Sequence, residues 1–278
     1  MQNYSKLDQP HNLSSIFYPR PTEITPLPKN AVDVPIETEP GVTIGCRFHI
    51  HGLDSPNILY FHGNGETVSD YDDIGPLYNH AGMNLLVADF RGYGWSNGTP
   101  TVSAMLDDAD VIFCKTRDWL KENSHSGALF LMGRSLGSVS AIDLATQYGD
   151  AIKGLILESA IADTIPLAKS LGMNLDEMNF TEEDGFRNIQ KIETIKTPTF
   201  IFHGARDEII TAVEAEKLQS FSGARTKEFM VIPGADHNSM ILTGGRLYFE
   251  TIKTFIDKVT GMTNWRRRRK TTNKYTGE

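Results

Sequence analysis

The stretch "LFLMGRSLGSVSAIDLA", Leu129–Ala145, changes character at its centre. It opens as an apolar run of the kind that forms a strand buried on both faces, and it closes as an apolar helix. The turn between them is Gly133-Arg134-Ser135-Leu136-Gly137. A serine that only capped the helix would need no glycine on either side. Two flanking glycines instead let strand and helix approach closely around a sharp turn that lifts the serine hydroxyl above the strand end. Five residues of this kind recur by chance; a strand before and a helix after give the pattern its meaning.

Reading outward, the same alternation continues in both directions. "NILYFHG" (57–63), "MNLLVADFRG" (83–92), "IKGLILES" (152–159), "TPTFIFHG" (197–204) and "KEFMVIPG" (227–234) read as short apolar strands. Helical stretches over 67–82, 103–123 and about 245–258 alternate with them, and "VTIGCRFHI" (42–50) reads as an early strand. Apolar strands alternating with helices predict an α/β fold with a doubly wound, mostly parallel sheet and right-handed crossovers. Between 160 and 196 no strand is predicted, so this segment reads as a small helical lid inserted after the strand that ends near Glu158. Residues 1–40 are rich in proline and are predicted to lie extended on the body rather than to form helix. The α/β body spans 41–260 on this reading, and 261–278 forms a basic tail.

Composition narrows the field. With 278 residues and a net charge of −8, the body does not look like a nucleic-acid binder. Cys46 and Cys114 sit in apolar sequence at no metal-ligand spacing and read as buried free thiols. No apolar run approaches the length of a membrane span, and the N-terminus lacks a secretory pattern, so a cytoplasmic location is expected. The run Arg266, Arg267, Arg268, Arg269 and Lys270 reads as a solvated tail, with contact to an anionic surface as the sharper alternative.

A serine hydroxyl is a poor nucleophile until a base takes its proton, and a carboxylate must orient that base. Both partners should follow Ser135, each after its own strand, in the order serine, acid, histidine. "FIFHGARDEII" supplies Asp207 and "VIPGADHNSM" supplies His237. The backbone N–H of Leu136 is one expected oxyanion donor. The other comes from "YFHGNGE", with Asn64 as first choice and Gly65 as the alternative. Gly63, Gly65 and Arg134 are candidate substrate-contacting positions. Glu158, Asp163 and Asp236 compete with Asp207 for the acid. His62 and His203 read as loop-shaping residues, and Asp89 and Arg91 as organisers of the loop beside the site. His49 and His51 suggest a metal pair only faintly, with no third ligand, so neither metal nor cofactor is expected.

These segments together resemble the α/β-hydrolase superfamily. More narrowly they are similar to the branch of serine aminopeptidase-like hydrolases and α/β-hydrolase-domain proteins that remove acyl groups from lipids or cysteines. The resemblance runs through "FYPRP", "FHGNGE", "DFRGYGWSNGTPT", "GRSLGS", "HGARDEII" and "GADHN", from about Ile16 to Phe255. It implies a cofactor-free serine esterase or thioesterase acting on a small-molecule or acylated substrate. Amide hydrolysis of the aminopeptidase kind and a non-catalytic binding role are the alternatives. Two departures stand out. Relatives often carry a membrane helix or lipidated cysteines before "FYPRP", which are lacking here, and Ser138 occupies a position that is often glycine, with a small local effect expected.

Overall fold

The central strands form because their residues are mostly apolar and buried on both sides, and the sheet they build is covered on both faces. The computed structural model describes residues 3–262; the basic run 266–270 lies outside the described residues. In chain order the elements are helix α1 (Pro10–Ile16), strands β1 (Ala31–Asp33), β2 (Ile36–Glu39), β3 (Val42–Ile44), β4 (Cys46–His49) and β5 (Asn57–Phe61), helix α2 (Gly75–His80), strand β6 (Asn84–Ala88), helix α3 (Val102–Glu122), strand β7 (Leu129–Arg134), helix α4 (Gly137–Tyr148), strand β8 (Gly154–Glu158), helices α5 (Thr164–Ser170) and α6 (Asn188–Thr194), strand β9 (Thr199–Gly204), helix α7 (Ala212–Phe221), strand β10 (Lys227–Ile232) and helix α8 (Met240–Val259).

Among the described residues the main sheet has eight strands in the order β1-β4-β6-β5-β7-β8-β9-β10. From β6 to β10 every neighbour is parallel, whereas β1 and β4 join antiparallel. This is the α/β-hydrolase fold. Successive residues of β5 serve opposite faces: Leu59 and Phe61 enter one core cluster, Ile58 and Tyr60 the other. Two hydrophobic layers therefore clamp one sheet, and the loops that carry chemistry leave its carboxyl rim. No helix of the described residues is long and apolar enough to cross a membrane.

Three details depart from the sequence reading. The predicted strand 42–50 is two strands, because the chain breaks at Gly45: its N–H goes to Ser96 Oγ (2.8 Å), and a Cβ there would strike the Trp95 ring. The proline-rich segment is not wholly extended. Pro10 opens α1, where a fixed φ and a missing N–H cost nothing. Within 160–196, α6 packs against α4 and α7 between β8 and β9, so this part of the expected lid belongs to the body.

Candidate active site

Ser135 follows the last residue of β7 with a left-handed backbone, φ +51°, and its N–H is held by the Glu158 carbonyl at 3.0 Å. The flanking glycines are there for space. A Cβ on Gly133 would lie 2.4 Å from the Gly137 carbonyl oxygen, and one on Gly137 would lie 2.1 Å from that of Phe61. No side chain fits either place. Ser138 does more than its expected small effect: it is buried, its Oγ donates to the Ser135 carbonyl (2.6 Å), and it accepts from Ile161 N–H (3.2 Å). Glycine there would leave the elbow untied from the segment that follows β8.

Asp207 stands three residues past β9, and His237 five past β10, so two separate loops bring them to the serine. His237 Nε2 lies 3.0 Å from Ser135 Oγ, and His237 Nδ1 lies 2.8 Å from Asp207 Oδ2. A carboxylate only accepts, so Nδ1 carries the proton and Nε2 faces the hydroxyl as an acceptor. Asp207 Oδ1 takes the N–H groups of Ile209 (3.1 Å) and Ile210 (2.9 Å), which fixes the carboxylate plane. Burial pushes the Asp207 carboxyl up, but the hydrogen bond and charge of His237 outweigh it and hold the group below its ordinary range. His203, also beside Asp207 at 3.3 Å, gives its Nε2 to the Ile210 carbonyl (2.7 Å), and burial keeps its pKa low.

The competing acids are engaged elsewhere. Glu158 is fully buried, accepts from Tyr248 OH (2.7 Å), and is pushed up by burial. Asp163 pairs with Lys217, and Asp236 binds its own turn through Asn238 N–H. His49 is buried whereas the exposed His51 bonds Ser55, so the two share no site.

Asn64 lies in the loop after β5. Its side chain donates to the Ile16 carbonyl (2.7 Å) and accepts from Tyr93 OH (2.6 Å) and Tyr18 N–H (3.0 Å). Among the described residues neither the Asn64 nor the Leu136 backbone N–H finds an acceptor. Leu136 stands immediately before α4, where the first amides of a helix have no intrahelical partner and favour negative charge. The Gly63 N–H, by contrast, is taken by Glu66 Oε2 (2.7 Å), and Gly65 has φ +78° with open space around it. Arg134 borders the site, yet its guanidinium is committed to Glu66, Asn238 and the His237 carbonyl.

A cavity of about 290 Å³ opens onto Ser135 and His237. Its walls are mostly apolar: Ile16, Leu136, Ile161, Leu167, Leu171 and Ile209, with Tyr18 at the edge. Asn64, Arg134 and Asn238 complete it, whereas Gly63, Gly65 and Asp207 do not line it. Sequence reasoning missed the walls. Leu167 and Leu171, four apart on α5 and its end, carried the only legible signal, a one-turn apolar spacing.

The comparisons with known proteins bear on the family and the fold. A family model described as serine aminopeptidase, S33, matches residues 55–177. The chain is 31% identical over 233 residues to human alpha/beta hydrolase domain-containing protein 17B, covering 80% of this chain and 73% of that protein. It is 28% identical over 244 residues to an uncharacterized protein of Mycobacterium tuberculosis, covering 86% and 83%. Among solved structures, an esterase of Pyrococcus furiosus has a TM-score of 0.70 at 20% identity and covers 86% of this chain and 98% of its own. A soluble variant of monoglyceride lipase from Saccharomyces cerevisiae, in complex with a substrate analog, has a TM-score of 0.65 at 17% identity and covers 84% and 96%. Those two likenesses speak for the fold alone. Strand order, elbow and the relationship to the human protein lead to one conclusion: the chain belongs to the α/β-hydrolase family.

Proposed function

We propose that this hydrolase-fold protein cleaves a carboxylic ester or thioester through an acyl-enzyme on Ser135. The observation that carries the reading is the continuous relay from Ser135 Oγ to His237 Nε2 and from His237 Nδ1 to Asp207 Oδ2, at 3.0 and 2.8 Å. In the first step Ser135 Oγ attacks the acyl carbonyl while His237 Nε2 takes its proton. Asp207 keeps the imidazole in the required tautomer and stabilises the imidazolium. The N–H groups of Asn64 and Leu136 receive the oxyanion. His237 then gives the proton to the departing alcohol or thiol, the carbonyl re-forms, and the acyl group is left on Ser135. Water, deprotonated by the same imidazole, releases the acid.

The walls of the cavity support an apolar acyl group. The two structural neighbours are an esterase and a monoglyceride lipase, in keeping with an ester substrate. Hydrolysis of aminoacyl amides is the alternative that the family model's name raises. It calls for a carboxylate in the chamber to hold the substrate's ammonium group. None of the described lining residues is acidic, and two acids of the segment after β8 are engaged elsewhere: Glu182 accepts from Thr164 and Ile165 N–H, and Asp184 pairs with Lys6.

The test is a series of p-nitrophenyl esters of graded acyl length beside aminoacyl amides, with a fluorophosphonate probe to report the nucleophile. Ester turnover with covalent labelling is expected, and Ser135→Ala should lose labelling and about 10⁴-fold or more in kcat. Amide turnover without ester turnover would favour the peptidase reading, and a folded protein that neither labels nor turns over would favour a binding role.

A further inference from the structure

Three loops meet at one guanidinium. Arg134, the residue before the elbow serine, is 6% exposed. Its Nη1 donates to Glu66 Oε1 (2.6 Å), and its Nη2 donates to the His237 carbonyl (2.6 Å) and to Asn238 Oδ1 (3.1 Å). Glu66 turns its second oxygen, Oε2, to the Gly63 N–H (2.7 Å) and to Tyr71 OH (2.9 Å). The loop after β5, which carries Asn64, is thereby joined through Glu66 and Arg134 to the loop after β10, which carries His237. The joint is anchored at the nucleophile itself.

We propose that the Glu66–Arg134 ion pair is a positioning device that sets the oxyanion loop and the histidine loop relative to Ser135. The inference rests on the serine-hydrolase reading. Neither residue touches the reacting atoms. Taking two charges out of water is costly, so such a pair is weak evidence for stability, and its fork geometry is what distinguishes it from an apolar filling. A planar guanidinium spans separate acceptors at fixed angles; a lysine ammonium is a point charge at the end of a flexible stem. Glutamine at 66 is equally telling. It must turn an NH₂ group either towards Arg134 or towards the Gly63 N–H, so one of the two connections is lost. Gly63 is part of the device, since a Cβ there would lie 2.2 Å from Arg134 Nη1.

The experiment uses the full chain with Arg134→Lys, Glu66→Gln and the double variant, a p-nitrophenyl ester, and the rate of fluorophosphonate labelling. Each single variant should lower kcat about tenfold to a hundredfold, the scale of a misplaced catalytic group, with KM within about twofold. Labelling should still reach the wild-type fraction, but more slowly. The double variant should be no worse than the worse single one, because the two residues act as a unit. Glu66→Gln is the milder variant, its side chain being 27% exposed, and serves where Arg134→Lys fails to fold. Wild-type kcat in Arg134→Lys and Glu66→Gln, additive losses, or losses matched by a smaller labelled fraction would overturn the proposal while leaving the hydrolase reading intact. A wild-type protein that does not label would overturn the hydrolase reading, and this inference with it.

Discussion

His237 and His62 both stand beside a carboxylate at the carboxyl rim of the same sheet, and their remaining nitrogens decide what each can do. His62 Nε2 faces Asp89 Oδ1 at 3.1 Å and its Nδ1 faces the Gly63 carbonyl at 2.8 Å. Both neighbours only accept, so the ring satisfies them together as the imidazolium. Burial opposes that charge, but Asp89 outweighs it and raises the His62 pKa. Asp89 Oδ1 also takes the Val68 N–H (2.8 Å), and the ring packs edge-on against Phe90 at 4.8 Å. His62 therefore fastens the loop after β5 to the loop after β6. His237 spends one nitrogen on Asp207 and presents the other to a hydroxyl. A histidine with both nitrogens bound to fixed acceptors is a strut; one with a nitrogen left facing an alcohol is a candidate base.

The comparison breaks most visibly at Asp207. Asp207→Asn keeps the shape but offers Nδ1 a donor, which favours the wrong tautomer; a fall of about 10⁴-fold in kcat is expected, with the thermal midpoint little changed. Steady-state kinetics beside a melting curve reads both. A variant that retains most of its turnover would show that the relay is not used.

His62→Leu should act in the opposite currency. It leaves Asp89 buried without its cation, and a loss of about 3–5 kcal/mol in unfolding free energy is expected from denaturant titration. Molecules that remain folded should keep kcat within a few fold. A stable variant without turnover would mean that His62 takes part in the chemistry, and the contrast between the two histidines would fall.

The smallest effect concerns a third histidine. His49 is buried, and burial pushes its pKa down from about 6.5 to about 4. Between those values the unfolded chain binds more protons than the folded one, so stability is full above about pH 6.5 and is lost as the pH falls toward 4. The loss amounts to about 3 kcal/mol at most. His62 has the reverse sign: its raised pKa contributes stability at low pH that fades as the pH rises through the folded value. His49→Leu should therefore flatten the acid side of the stability–pH curve measured by urea unfolding and leave the alkaline side alone.

The legibility of the site followed the same division between local and distant causes. The elbow could be read from 129–145 because strand, turn and helix are consecutive and the glycines answer a steric demand within the turn. Asp207 and His237 could be read because each follows a recognisable apolar strand. Arg134, by contrast, is legible only as a candidate substrate contact, and it does line the cavity, but its polar partners are not legible. The partners that bind it, at 66, 158, 237 and 238, lie far away in the chain, and no spacing announces them. The N-terminal segment was legible as proline-rich but not as a wall of the cavity, since Ile16 and Tyr18 are held there by Asn64 and Tyr93, which lie far along the chain.

By itself the order of residues determined the alternation of buried strands and helices, the sharp turn at Ser135, and the chain order in which Ser135, Asp207 and His237 follow their strands. All three follow from short-range sterics and from periodicity, which neighbours along the chain suffice to express. Only the tertiary structure decided which nitrogen of which histidine faces the serine, that Arg134 turns to its loops, and which apolar side chains wall the cavity. Those outcomes depend on largely buried polar groups from separate strands satisfying one another, and such pairing exists only once the sheet has brought its rim together.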